Sequence, residues 1–210
     1  MERELTPVEI AAAGTGVALA TGRNHALLLK DDGSLISWGA NNYGQLGNGG
    51  GHGLGDQACC VTVGLPIPVL QIDAGGTSSY ALLTDGSLYA WGWNHYGEVG
   101  DGGGFMMQHT SPVHVPSLPP SLAYQIGGGG YSITIVVLLP DGSAVGSGRN
   151  TNGQLATGDT SWTLCQATGL CRTQYSSSEN TAAAGPLPGL GEGNIATARG
   201  DGFMLLLRRP

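Results

Sequence analysis

The chain of 210 residues carries a net charge of −7 and a pI near 5.0, with eight Lys and Arg residues scattered along its length. Nucleic-acid binding draws on clustered cations that release phosphate counterions, and no such cluster occurs, so nucleic acid is excluded as a direct partner. A hydrophobic content of 40% supports a core, while 38 glycines and 11 prolines recur at intervals, which points to many turns rather than to disorder.

Residues Met1 to Pro7 hold neither a basic segment nor an apolar one, so no secretory signal is read, and no apolar run approaches the roughly 20 residues that span a bilayer. The reading leans intracellular. The first strand is expected at Val17 to Ala20, leading into Gly22. A hairpin follows at about 26–30 and 34–38, because Asp32-Gly33 between two apolar runs is a strong turn signal. Trp38-Gly39, Asn41 and Gly44-Gln45-Leu46-Gly47 form a polar, glycine-rich corner, and residues 48–60 read as a surface loop. A second unit enters through Val69 to Ile72, with its hairpin at about 79–84 and 87–91 and an outgoing loop from Asp101 to His109. A third enters through Pro112-Val113 and Tyr124 to Ile126, with its hairpin near 133–139 and 143–147. A low-complexity insertion follows at about 156–190. From Ile195, Gly200, Phe203 and Leu205 to Leu207 repeat the places of Gly22, His25 and Leu27 to Leu29.

The units align residue by residue. Turn glycines stand at Gly33, Gly86 and Gly142, spaced 53 and then 56 residues. Five residues after each come Trp38, Trp91 and Ser147, followed by Gly39, Gly92 and Gly148, then Asn41, Asn94 and Asn150, then Gly44, Gly97 and Gly153. One domain spans 1–210, with units at about 6–62, 63–111 and 112–156 and a partial fourth at about 191–210. Short strands recurring at this period, with no sustained helical periodicity, indicate an all-β propeller in which each unit buries its face only against a neighbour.

The pattern Gly-x-x-His-x-x-x-Leu, Asp-Gly, Trp-Gly-x-Asn-x-x-Gly-Gln-Leu-Gly resembles the regulator-of-chromosome-condensation repeat. The first unit matches at almost every position, through His25, Asp32-Gly33, Trp38-Gly39, Asn41 and Gly44 to Gly47. The second departs at Ser78 and at Glu98-Val99; the third has Ser147 for tryptophan and Ala156 for the last glycine. The resemblance implies four-stranded blades, usually seven to a ring. Three to four blades here predict a propeller-like arc, incomplete as a ring, whose ends a partner covers; a closed four-bladed propeller is the alternative.

Candidate chemistry is sparse. The motif glycines and asparagines read as structural, serving turns and local backbone bonds, and the two tryptophans as packing between blades. His25 reads as a hydrogen-bonded core residue. Lys30 is the only lysine and closes no phosphate-binding loop, and no Gly-x-Ser-x-Gly elbow occurs. His52, His109 and His114 could hold a metal only loosely, with no carboxylate or cysteine spaced to complete a set. Catalytic residues, cofactor and metal are therefore all read as none. Cys59-Cys60 and Cys165 with Cys171 match no zinc module; free buried thiols are preferred over a Cys165–Cys171 disulfide. Partner binding is assigned to two loops, through Phe105, Met106 and Met107 and through Trp162, because exposed apolar clusters mark interaction sites. The functional reading is a non-enzymatic protein-interaction or scaffold subunit of a larger assembly, with nucleotide-exchange regulation of a small GTPase as the alternative.

Overall fold

Apolar residues alternating with a period of two build strands, and glycine-rich corners separate them. A computed structural model describes residues 10, 13–51, 57–102, 107–116, 118, 120–121, 125–127, 134–139, 144–149, 163–165, 171–173, 185–186, 194–200 and 203–208. Its strands are β1 (Gly16–Thr21), β2 (His25–Lys30), β3 (Leu35–Gly39), β4 (Gln57–Thr62), β5 (Val69–Gly75), β6 (Ser78–Leu83), β7 (Leu88–Asn94) and β8 (Met107–His114). They continue with β9 (Gln125–Gly127), β10 (Thr134–Leu138), β11 (Ala144–Gly148), β12 (Thr163–Cys165), β13 (Cys171–Thr173), β14 (Gly185–Pro186), β15 (Asn194–Gly200) and β16 (Phe203–Arg208).

Three antiparallel sheets of four strands follow one another, in the orders β1-β2-β3-β4, β5-β6-β7-β8 and β9-β10-β11-β14. The hairpins β12–β13 and β15–β16 stand outside them. Pro112 and Pro186 fall on the outermost strands β8 and β14, where a missing N–H costs no ladder bond. Residues 57–60, expected in a loop, instead form most of β4, and Met107 to His109 open β8. The insertion likewise contributes β14 to the third sheet. The inner strands meet in sequence, β5 against β1 and β2, β9 against β5, and β15 against β9 and β10. Among the described residues no contact of that extent joins β15–β16 to β1–β2, and the blades follow one another as an open, arc-like series.

The first two Asp-Gly turns are each one residue longer than Asp-Gly usually signals. Gly33 N donates to Lys30 O, Lys30 N donates to Ser34 O, and Asp32 Oδ1 accepts from Ser34 N at 2.8 Å. This closes a three-residue loop with its glycine in the left-handed region.

Two apolar layers hold the arc together. Leu27, Leu29, Leu35 and Val63 of the first sheet pack on Val69, Ile72, Ala74, Ala81, Leu83 and Trp91 of the second. The far face of the second sheet, including Tyr80, Leu82, Leu88 and Val115, packs on Val137 and Val145 of the third. The middle strand β6 is buried along its whole length because both its faces are covered. Burying one such leucine contributes about 1.5–3 kcal/mol. Cys59 and Cys60 are neighbours on β4. Cys165 and Cys171 stand opposite each other across β12–β13.

Gly92 follows the buried tryptophan of β7 at φ 100°, and a Cβ there would sit 2.4 Å from Thr77 O. Replacing Gly92 with alanine is expected to destabilise the fold by roughly 1–3 kcal/mol or more, from backbone strain and the clash. Gly64→Ala, where a Cβ meets nothing within 4 Å, leaves stability nearly unchanged. Paired urea denaturation curves measure both.

Candidate functional site

The corner after each Trp-Gly is a small hydrogen-bonded lock. In the first unit Asn41 Oδ1 accepts from Leu46 N at 3.1 Å and Gln45 Oε1 from Tyr43 N at 2.9 Å. In the second, Asn94 Oδ1 accepts from Val99 N at 3.0 Å and Glu98 Oε2 from Tyr96 N at 2.7 Å. Asn41, Gln45, Asn94 and Glu98 are all buried. The lock aims Gln45 O at the second blade, where it accepts from Ser79 Oγ at 2.8 Å and from Trp91 Nε1 at 3.0 Å. Ser79 spends its one proton there, so His25 Nε2–H donates to Ser79 Oγ at 2.9 Å. Burial lowers the His25 pKa from 6.5 to about 4, and the imidazole is neutral at physiological pH. His25 is thus a bridge between the first two blades.

The residues that vary within the same corner point elsewhere. Tyr43 meets Trp93 edge to face, with centroids 4.4 Å apart. Trp93 stacks on His95 at 5.2 Å and 8°, and His95 meets Tyr96 edge-on at 4.5 Å. The Arg149 guanidinium lies 5.7 Å from the Tyr96 ring centroid. Four rings and a guanidinium from three consecutive blades therefore form one ladder. Its members are half-buried, except Tyr43, which is exposed. Met107, 51% exposed, pairs with Asn94 at the neighbouring edge of β8. Beside it His109 Nε2 lies 3.0 Å from Asp101 Oδ2, an ion-pair distance without hydrogen-bond geometry. Among the described residues, His95 Nδ1 and Gln108 Oε1 are shielded from solvent and have no hydrogen-bond partner.

Sequence reasoning placed partner binding on Met107, which adjoins the ladder, and on Phe105, Met106 and Trp162, which lie outside the described residues. It missed Tyr43, Trp93, His95, Tyr96 and Arg149. The available signal was positional: Trp93 and Arg149 share one place after Trp-Gly or Ser-Gly, and Tyr43 and Tyr96 share another. Gly33, Gly39, Gly44, Gly86, Gly92, Gly97 and Gly148 all take positive φ. Trp91 is fully buried between blades, whereas Trp38 is only half-buried. Gly142, Asn150 and Gly153 lie outside the described residues. Among the described residues no three His, Cys, Asp or Glu side chains stand close enough to hold a metal, and no helix is long and apolar enough to cross a membrane.

The repeat and its locked corner define a class. The chain belongs to the regulator of chromosome condensation (RCC1) repeat family, whose models match residues 17–45 and 69–98, and 32–82 and 85–136. It is 32% identical over 143 residues to the ultraviolet-B receptor UVR8 of Arabidopsis thaliana, covering 67% of this chain and 31% of that protein. It is 32% identical over 139 residues to the human probable E3 ubiquitin-protein ligase HERC6, covering 66% of this chain and 13% of that one. The chain thus spans less than a third of either relative. Among solved structures it resembles human WBSCR16, with TM-score 0.67 and 20% identity over 92% of this chain and 44% of that one. Yeast RCC1 (Prp20) in its complex with Kap60 gives TM-score 0.67 and 19% identity over 93% and 43%. Both structural likenesses speak to the propeller-type fold.

Glu98 stands where the first unit has Gln45, and burial raises its pKa from 4.5 to about 8. The folded state holds this proton more tightly than the unfolded chain, so its contribution is fully present below 4.5 and is lost as pH rises towards 8. His25 acts in the opposite sense, losing stability as pH falls from 6.5 through about 4. Between pH 6.5 and 8 only the Glu98 effect operates. Stability is expected to fall there by up to about 1.4 kcal/mol per pH unit, and Glu98→Gln to remove most of that slope. Thermal melts of both proteins across this window measure it.

Proposed function

We propose that this chain is a non-enzymatic protein-interaction module, a scaffold subunit that recognises its partner through the ladder Tyr43, Trp93, His95, Tyr96 and Arg149 with Met107 at its edge. The observation that carries this reading is the convergence of those side chains from three consecutive blades into one continuous ladder. Tyr, Trp and Arg are the residue types that dominate interface hot spots, and methionine adapts to varied surfaces. The ladder residues sit on rigid corners, so little ordering entropy opposes binding. The residues the first two units share at the corner are engaged in local backbone bonds, which leaves recognition to the side chains around them. Fold alone does not select among the activities of relatives.

Regulation of a small GTPase is the second reading. It draws on the likeness to Prp20, for which one solved structure is described together with its binding properties to Gsp1p and histones. Release of labelled nucleotide from a panel of small GTPases, with the chain in excess, tests it directly.

For the first reading, proteins retained from cells by the wild-type chain are identified and their affinities measured. Trp93→Ser and Tyr43→Ser are expected to weaken the specific partner by roughly thirtyfold or more, equivalent to about 2 kcal/mol at a hot spot. Circular dichroism confirms that both variants fold. Undiminished binding by both variants would remove the ladder from the interface.

A further inference from the structure

Because the unit recurs, a blade face seen covered at one place can be compared with its equivalent at another. In the second sheet Ile72, Ala81 and Trp91 are buried against the first sheet, at 9%, 0% and 0% exposure. The matching positions of the first sheet are Leu19, Leu28 and Trp38. Leu19 pairs with Leu28 as Ile72 pairs with Ala81, and both inner strands carry the same bulge near their start. Leu19 is 62% exposed, and Leu28 and Trp38 are half-buried. With Ile10 and Ala13 these three side chains line an open apolar groove. An apolar face of this kind is normally an interface.

The far end of the arc holds the complementary element. In β15–β16, Leu205 pairs with Ala198 and Leu207 with Ala196, as Leu27 pairs with Ala20 and Leu29 with Ala18 in β1–β2. The bulge falls at the equivalent place, between Asn194 and Ala196 in one hairpin and between Gly16 and Ala18 in the other. Leu27 and Leu29 are the residues that cover the second sheet, and Leu205 and Leu207 occupy their register positions. The stacking recurs at the two ends of the arc. β5 rests on β1 and β2, and β15 rests on β9 and β10. The next inner strand in the series would rest on β15 and β16, and the exposed β1 is an inner strand.

We propose that a second copy of this chain docks head to tail, with the β1 face of one copy (Leu19, Leu28 and Trp38) seated on the β15–β16 hairpin of the other. Leu205 and Leu207 on one side and Leu19 and Trp38 on the other are the equivalents of positions the chain already packs between its first two blades. The contact is heterologous: it closes into a ring if the rotation allows and otherwise grows. It is independent of the aromatic ladder, whose residues lie on the corner between β3 and β4, at the end of β7 and the corner that follows it, and after β11.

The test is sedimentation velocity over a wide concentration range with wild-type chain and Leu19→Asp. Leu19 is solvent-exposed in the single copy, so the variant keeps its circular dichroism spectrum and melting temperature. Wild type is expected to self-associate, and Leu19→Asp to weaken that association by roughly thirtyfold or more. The variant still has an intact β15–β16 end. Labelled Leu19→Asp is therefore expected to bind wild-type chain while failing to bind itself, which a head-to-head contact would not allow. A wild type that stays monomeric throughout, a Leu19→Asp chain that self-associates as tightly as wild type, or one that cannot bind wild type would each overturn the proposal.

Discussion

One main-chain oxygen ties the first two blades together. Gln45 O receives both the Ser79 hydroxyl and the Trp91 indole N–H, and its corner is held in place by the side chains of Asn41 and Gln45. A buried indole N–H without an acceptor costs about 1–3 kcal/mol, so the tryptophan can fill the gap between blades only where a carbonyl is waiting. The carbonyl is there only because the corner is locked. His25 joins through Ser79, which makes a neutral imidazole part of the same chain of bonds. Four of the most recognisable motif residues are therefore consumed by one packing problem.

The polar side chains of the motif are engaged in the same way in both units. Asn41 and Asn94 bond backbone at equivalent places, Gln45 and Glu98 bond backbone at equivalent places, and their burial removes them from solvent. Glu98 is the informative departure. A carboxyl in the glutamine position offers one oxygen to Tyr96 N and leaves the other, Oε1, shielded and without a hydrogen-bond partner among the described residues. Protonation removes the buried charge, and the raised pKa follows.

The inner three strands of each blade were legible because Asp-Gly turns and Trp-Gly ends bracket apolar runs of strand length. The outer strands were not. β4 carries Cys59 and Cys60 behind a glycine-rich stretch, and β8 carries Pro112 and five polar residues, so neither shows clean alternation. Edge strands need little of it, since one side of each pairs with nothing in its sheet. The ladder was illegible for a different reason. Tyr43, Trp93, His95 and Tyr96, and Arg149 come from three units, and each alone looks like an unremarkable loop residue. Only the stacking of blades brings their rings within about 5 Å of one another. Met107 was found because three apolar residues in a row are visible in one dimension, whereas a ladder across blades is not.

Repetition also separates what a residue is from what its neighbours make of it. Trp38 and Trp91 occupy the same place in the same motif, yet Trp91 is sealed beneath the Gln45 corner and Trp38 lies on a half-open face. Leu19 and Ile72 differ in the same way, by an exposure of 62% against 9%. Nothing within either unit accounts for the contrast; the presence or absence of a preceding blade does. In a protein built by stacking, the local sequence specifies the strand, turn and corner, while burial is a property of position in the series. Among the described residues, the face of Leu19, Leu28 and Trp38 carries residues of the packing type that no blade of this chain covers.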